Sequence, residues 1–523
     1  MDRKWWTLLV VCAGIFMLLL DITIVVVALP DIQHELHAGF SDLQWTVSAY
    51  ALTLASLLLT TGSLADRYGR RMMFTGGLII FTAGSLACGL AQSPTMLIIS
   101  RAAQGVGGAT VFSTSLALLG ASFHGRERGV AFGVWGAVTG AAVALGPILG
   151  GVITSGISWR GIFLVNVPIG IAATIATRAR VDESRSPVAA PPDYAGFVLL
   201  TAGLVSLVYG FIRVTGHGWG DTGVIGCLAA GCVLLAGFVI AEARSPHPMF
   251  DLSLLRTPTF VGGSIAAFTM NGSLFAMLLY LVLYLQDALG FSASQTGVRL
   301  LIITAGMFVA ATVSGRLSSH VPVRWLIGPG LLLVGIGLAL MSGLNGTSTW
   351  THLIPGFLVA GVGSGLVNPP LASTAIGVVE PQRAGMASGV NTTFRQVGIA
   401  VATAGLGTIF VSALRRSLSH SLAAVPALAG HASAIAAQVQ QGNFGAVLAS
   451  VPPGQRGRLE AAAHSAFAAG LNDLLLVSAA VALVGGVASI ALIRSRDFVH
   501  VRAAARVSSE RVDAPEARPA RVA

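Results

Sequence analysis

The chain has 523 residues, 54% of them hydrophobic and only 10% charged, with a mean hydropathy of +0.79. A soluble domain carries about one quarter charged residues, so a water-soluble fold is excluded and most of the chain must lie in a bilayer. The net charge of +10 does not indicate nucleic acid, because the basic residues sit at the ends of apolar runs and in the tail, not interleaved with aromatics.

A membrane span needs about 20 mostly apolar residues. Fourteen are predicted in chain order, near 6–29, 43–63, 73–92, 95–119, 129–154, 161–178, 193–213, 222–242, 258–286, 294–315, 324–344, 351–377, 384–411 and 470–493. The opening "MDRKWW" leads into an apolar run too long for a cleavable signal, so it reads as a signal-anchor. An even number of spans puts both termini on one side. With that side cytoplasmic, 22 Lys and Arg fall on inner segments and tail against five in outer loops, which favours cytoplasmic termini and the inner membrane. Residues 412–469 form the longest loop, expected outside as a partly ordered cap. The basic tail 496–523 has little to bury and is expected to be disordered. The four cysteines lie in apolar runs and act as small hydrophobes, with no metal-ligand spacing among them.

An internal repeat organises these spans. "RAAQGVGGAT" (101–110) aligns with "FLVAGVGSGL" (357–366), and "GVAFGV" (129–134) with "GMASGV" (385–390), both at an offset of 256. "GSLADRYGRR" (62–71) aligns with "GRLSSHVPVR" (315–324) at 253. Spans 2–5 therefore recur as spans 10–13 in the same orientation, the plan of a two-bundle, alternating-access transporter. The expected fold is all-α: a six-helix bundle over 1–180, two inserted helices within 181–257, and a second six-helix bundle over 258–495.

Polar residues in apolar runs carry the chemistry. Asp21 interrupts "LLLDITIVVVALPDI", about two-thirds of the way along span 1. A lone carboxylate there is disfavoured when charged, which suits a group that binds and releases a proton. Pairing with a buried Arg is the competing reading. In "GSLADRYGRR", Gly62 and Gly69 permit a tight turn, and Asp66 can pair with Arg70 or cap a helix, beside Arg67 and Arg71. In "RAAQGVGG", Arg101 and Gln104 share a helix face inside the membrane. In "GAAVALGPILGG", Pro147 bends span 5, while Gly140, Gly146, Gly150 and Gly151 thin its surface. Asp287 and Asp473 fall at outer span ends, and no Glu is placed within a span core.

These motifs resemble those of the major facilitator superfamily, and more narrowly its fourteen-span drug:H⁺ antiporters. "GSLADRYGRR" is similar to the family's loop signature between spans 2 and 3, "RAAQGVGG" to its span-4 motif and "GAAVALGPILGG" to the motif that marks antiporters. "SWRGIFLVNVPIG" (158–170) and "GMASGVNTTFRQVG" (385–398) also resemble this group. Val26 stands where the group usually has Asn, and Gly161 where it has an aromatic. The resemblance implies proton coupling through Asp21 and Arg101, a conformational latch at Gly62–Arg71, and export of drugs or antibiotics without a cofactor or metal. The expected partners are protons, lipid and small lipophilic substrates, cations among them, with the monomer as functional unit. Candidate substrate contacts are Gln44, Trp45, Tyr50, Gln104, Trp135, Phe268, Asn271, Phe275, Asn391, Phe394 and Arg395. The alternatives are a dedicated exporter of one endogenous metabolite, uptake by symport, or a membrane enzyme. The last is disfavoured because no H-E-x-x-H, G-x-S-x-G or P-loop pattern occurs.

Overall fold

A computed structural model describes residues 2–185, 191–318, 320–380, 384–423 and 453–498. Fourteen helices in it are long and apolar enough to cross a membrane. In chain order they are α1 (Arg3–Leu36), α2 (Phe40–Tyr68), α3 (Arg70–Gly89), α4 (Pro94–Ser122), α5 (Gly125–Gly156), α6 (Gly161–Arg180) and α7 (Tyr194–His217). Then come α8 (Thr222–Arg244), α9 (Pro258–Ala288), α10 (Ala293–Leu317), α11 (Arg324–Met341), α12 (Trp350–Gly377), α13 (Ala384–Ala423) and α14 (Pro453–Leu492). In hydrocarbon every backbone amide needs an internal partner, which the apolar runs satisfy as helices. Small polar residues start several of them: Ser93, Asp193, Asp221 and Ser292 each accept a backbone N–H of the first turn. We call the face at which α1 begins the near face and the opposite one the far face.

The repeat is visible in packing. Gly105 of α4 lies where a Cβ would strike Thr53 of α2, and Gly107 where it would strike Phe81 of α3. Their counterparts on α12 do the same one half later: Gly361 abuts the Ile303 carbonyl of α10, and Gly363 lies 2.6 Å, as a built Cβ, from the Gly330 carbonyl of α11. One glycine pair per half thus lets a central helix approach two neighbours. The inserted α7–α8 hairpin packs beside α2 and α13, one helix from each half, so it covers that seam. Trp45 of α2 meets Tyr209 of α7 there, with ring centroids 6.2 Å apart.

At the far face the halves are joined. The Gly297 position on α10 abuts the Pro147 carbonyl, and a Cβ on Gly151 would lie 2.6 Å from the Ala293 carbonyl. Ser155 Oγ accepts from the Ser294 amide at 2.9 Å. Phe40, Phe410 and Phe467 cluster between α2, α13 and α14, and Gln286 of α9 donates to the Val27 carbonyl of α1 at 2.8 Å. At the near face the halves part around a cavity of about 520 Å³.

Three expectations about boundaries need correction. Helix α1 continues to Leu36, so Asp21 lies near its midpoint, eighteen residues from Arg3 and fifteen from Leu36. Both flanks of the expected cap 412–469 are helical, as extensions of α13 and α14, and residues 424–452 lie outside the described residues. The expected tail is anchored at its start, where Asp497 accepts from Thr259 Oγ1 at 2.7 Å. Residues 499–523 lie outside the described residues.

Candidate functional site

Asp21 is fully buried and is not a lone carboxylate. Arg101 of α4 donates from Nη1 to its Oδ2. Gln104 Nε2 donates to Oδ1 at 2.8 Å, and Asn166 Nδ2 of α6 to the same oxygen at 3.3 Å. Gln104 also receives Arg101 Nη1 at 2.7 Å and donates to Ser85 at 2.8 Å. The guanidinium donates from Nε to the Thr46 carbonyl at 3.2 Å and lies over the Tyr50 ring, 4.3 Å from its centroid. Five helices, α1 to α4 and α6, thus contribute to the cluster around one ion pair. The helical spacing already put Arg101 and Gln104 on one face; their partner is 80 residues away in sequence. Removing one member of so buried a pair strands the other.

The glycines of span 5 bring this pair to a seam. Gly146 sits where a Cβ would strike Thr23, and a Cβ on Gly150 would lie 2.7 Å from the Ile24 carbonyl, so α5 presses on α1 within one turn of Asp21. Gly151 instead faces α10, across the boundary between halves, and Gly140 faces open space. Pro147 stays inside a continuous helix.

The near-face cavity is lined by both halves: Gly62, Asp66 and Arg70 on one side, Gly385, Met386, Ser388 and Gly389 on the other, with Phe112 and Pro248–Met249 completing the wall. Arg70 chelates Asp66 Oδ1 through Nε at 3.0 Å and Nη2 at 2.8 Å. Arg67 is exposed over the Tyr68 ring. Gly69 has φ +123°, a conformation that favours glycine. The candidate substrate contacts do not line this cavity. Tyr50 and Gln104 belong to the ion-pair cluster, and Trp45 faces the inserted hairpin. Gln44 donates to Tyr280 at 2.9 Å in the far-face closure. Trp135 stacks edge-on against Phe112 of the wall. Phe268 and Asn271 pack in α9, Asn271 donating to the Ala267 carbonyl, with Phe275 and Phe394 beside the apolar cluster of α13. Asn391 and Arg395 sit deeper on α13, bonded to each other at 3.4 Å.

Three residues escaped the sequence reading. Asn166 lay in a quoted motif without an assigned role. Glu183 follows α6 and accepts the Arg71 and Met72 amides at 2.9 and 3.1 Å, capping α3 from a distance. It also fills the space beside Gly69. Glu183→Ala should lower stability by about 1–2 kcal/mol through the lost cap, read as a lower melting temperature in detergent, with Glu183→Gln losing less. Glu242, at the end of α8 and outside any span core, is only 3% exposed. Its Oε2 accepts from the Phe250 amide at 3.3 Å, which holds the Pro248–Phe250 wall, while Oε1 and Asp193 Oδ2 are buried without donors. A glutamate at a span end reads as interfacial in sequence; only the fold of the hairpin covers it.

Comparison with known proteins bears on the whole chain. A tetracenomycin C resistance and export protein of Streptomyces glaucescens is 34% identical over 491 residues, covering 92% of this chain and 90% of the relative. The drug efflux pump JefA of Mycobacterium tuberculosis is 33% identical, covering 92% and 96%. Among solved structures, an inward-facing, unoccupied bacterial homolog of the human lysosomal transporter Spinster superposes with a TM-score of 0.63, at 17% identity, over 95% of this chain and 98% of that one. The sequence model of the Major Facilitator Superfamily matches residues 11–403. The chain is a multi-pass membrane protein that belongs to the Major Facilitator Superfamily.

Proposed function

We propose that this protein exports small lipophilic drugs or antibiotics in exchange for protons, with the near face cytoplasmic and both termini on that side. The observation that carries the reading is the Asp21–Arg101 pair, buried beside the α1–α5 contact in a chain whose halves are closed at one face and parted at the other. A proton arriving on Asp21 competes with Arg101 for the carboxylate. Loading it loosens the bonds that tie α1 to α4 and α6 and so favours a different packing of the bundle. Each proton carries one charge, worth about 2.3 kcal/mol per 100 mV, which is enough to bias such a two-state equilibrium. The Asp66–Arg70 pair stands across the cavity from Gly385 and Met386, where the inner ends of the halves meet when the near face closes. The export-related names of the full-length relatives support the direction of transport.

Everted membrane vesicles test this reading. Respiring vesicles that contain the protein should accumulate lipophilic fluorescent substrates against a gradient, and collapse of the pH gradient by nigericin should abolish that accumulation. Accumulation that survives the collapse, or that needs ATP alone, rejects proton antiport.

A further inference from the structure

The second half contains a deep guanidinium with no acidic partner. Arg395 donates from Nη1 to Asn368 Oδ1 of α12 at 3.1 Å and from Nε to Asn391 Oδ1 at 3.4 Å. Both acceptors are neutral amides. Among the described carboxylates of the second half, Asp287 is beside His34, Asp473 beside Arg416, Asp497 beside Thr259, and Glu380 is exposed at the near end. Among the described residues none pairs with Arg395. Arg101 in the first half, by contrast, is neutralised by Asp21.

The position of Arg395 follows from helix geometry. Ser388 lines the near-face cavity. Arg395 is seven residues further along α13, two turns deeper on the same face. It is partly accessible, while its neighbours Asn391 and Gln396 are buried. A cation at membrane depth is costly unless it meets a polar space or a counter-ion. The two asparagines hold Nε and Nη1, leaving Nη2 with no acceptor among the described residues. That arrangement presents a planar, fixed donor edge, which suits a carboxylate or phenolate oxygen.

We infer that Arg395, oriented by Asn368 and Asn391, anchors an anionic oxygen of the transported molecule, so that the substrate class is lipophilic acids. The inference rests on the export reading for its cargo, and it narrows the expected lipophilic substrates, cations among them, to acids. A cationic substrate at this depth meets an uncompensated positive charge, whereas an acid supplies the missing counter-ion.

Fluorescein and rhodamine 123 share a xanthene ring and differ in charge, which makes them matched probes. Their binding to the purified full-length protein in detergent is read by fluorescence anisotropy against empty micelles, with no proton gradient. Wild type is expected to bind fluorescein more tightly than rhodamine 123. Arg395→Gln should lower the ratio of the two affinities at least about tenfold, the scale of a lost charge-assisted hydrogen bond. Arg395→Lys should recover part of it and serves as the reading if the Gln variant aggregates. A wild-type preference for rhodamine 123, or a ratio unmoved by both substitutions, overturns the assignment. Proteoliposomes with an imposed pH gradient separate the two claims. Charge-selective binding with no transport of either dye rejects export and keeps the site; transport without charge selectivity rejects the site and keeps export.

Discussion

Replacing Asp21 by asparagine should abolish uphill transport. The substitution preserves shape and most hydrogen bonding, but it removes the proton-binding group and the counter-charge of Arg101. Breaking a buried pair from one side costs on the order of 3–5 kcal/mol, so abundance in the membrane must be matched before activities are compared. Two measurements then separate coupling from collapse. Gradient-driven accumulation in everted vesicles, and drug protection in an efflux-deficient host, should fall to the level of vesicles and cells without the protein. Exchange of labelled for unlabelled substrate at equal pH, which needs alternating access but no net proton movement, should persist. Uphill transport that survives Asp21→Asn would move the proton carrier to another residue. Loss of exchange together with uphill transport would make the pair a structural tie between α1, α4 and α6.

Gly151→Leu should hold the protein open at the far face. The built Cβ at Gly151 lies 2.6 Å from the Ala293 carbonyl and 2.9 Å from Ser294 Cα, both backbone atoms that cannot rotate aside. Overpacking of this kind costs about 1–3 kcal/mol, and it is paid only in the state where α5 and α10 touch. A penalty of that size on one of two states shifts their ratio about five- to 150-fold. Transport should therefore fall about fivefold or more at unchanged abundance. The cause can be read directly with Ser155→Cys in a chain whose Cys227 and Cys232 are alanine. Ser155 is exposed even in the closed far face, where its Oγ accepts from the Ser294 amide, so a membrane-impermeant maleimide should label it in either background, and faster in intact cells once Gly151 is leucine and α10 no longer packs beside it. Unchanged labelling with full transport would mean that α5 and α10 do not separate during the cycle.

Several determinants were legible along the chain because they are local. Hydropathy over about 20 residues located all fourteen spans, since a helix in lipid satisfies its own backbone and needs no partner to form. The glycine spacing in "RAAQGVGG" and "FLVAGVGSGL" exposed the repeat, because a bare Cα matters wherever helices cross. Arg101 and Gln104 could be set on one face from their three-residue spacing alone. The Asp66–Arg70 pair could be anticipated for the same reason.

What the tertiary structure decided is non-local. Asp21 could be recognised as a misplaced charge, but its partners come from 80 to 145 residues away, and no periodicity links them. Glu183 caps α3 from 111 and 112 residues downstream. Glu242 is buried only because α7 and α8 fold into a hairpin whose near end closes over it. Gly146 and Gly151, five residues apart on one helix, serve different contacts: the first admits α1 inside one half, the second admits α10 from the other. Sequence placed the charges and the small residues in the membrane, since burial there is a property of each segment. Which charge lies against which, and which face is shut, depends on how the segments pack, because ion pairs and closures are made between helices rather than within them.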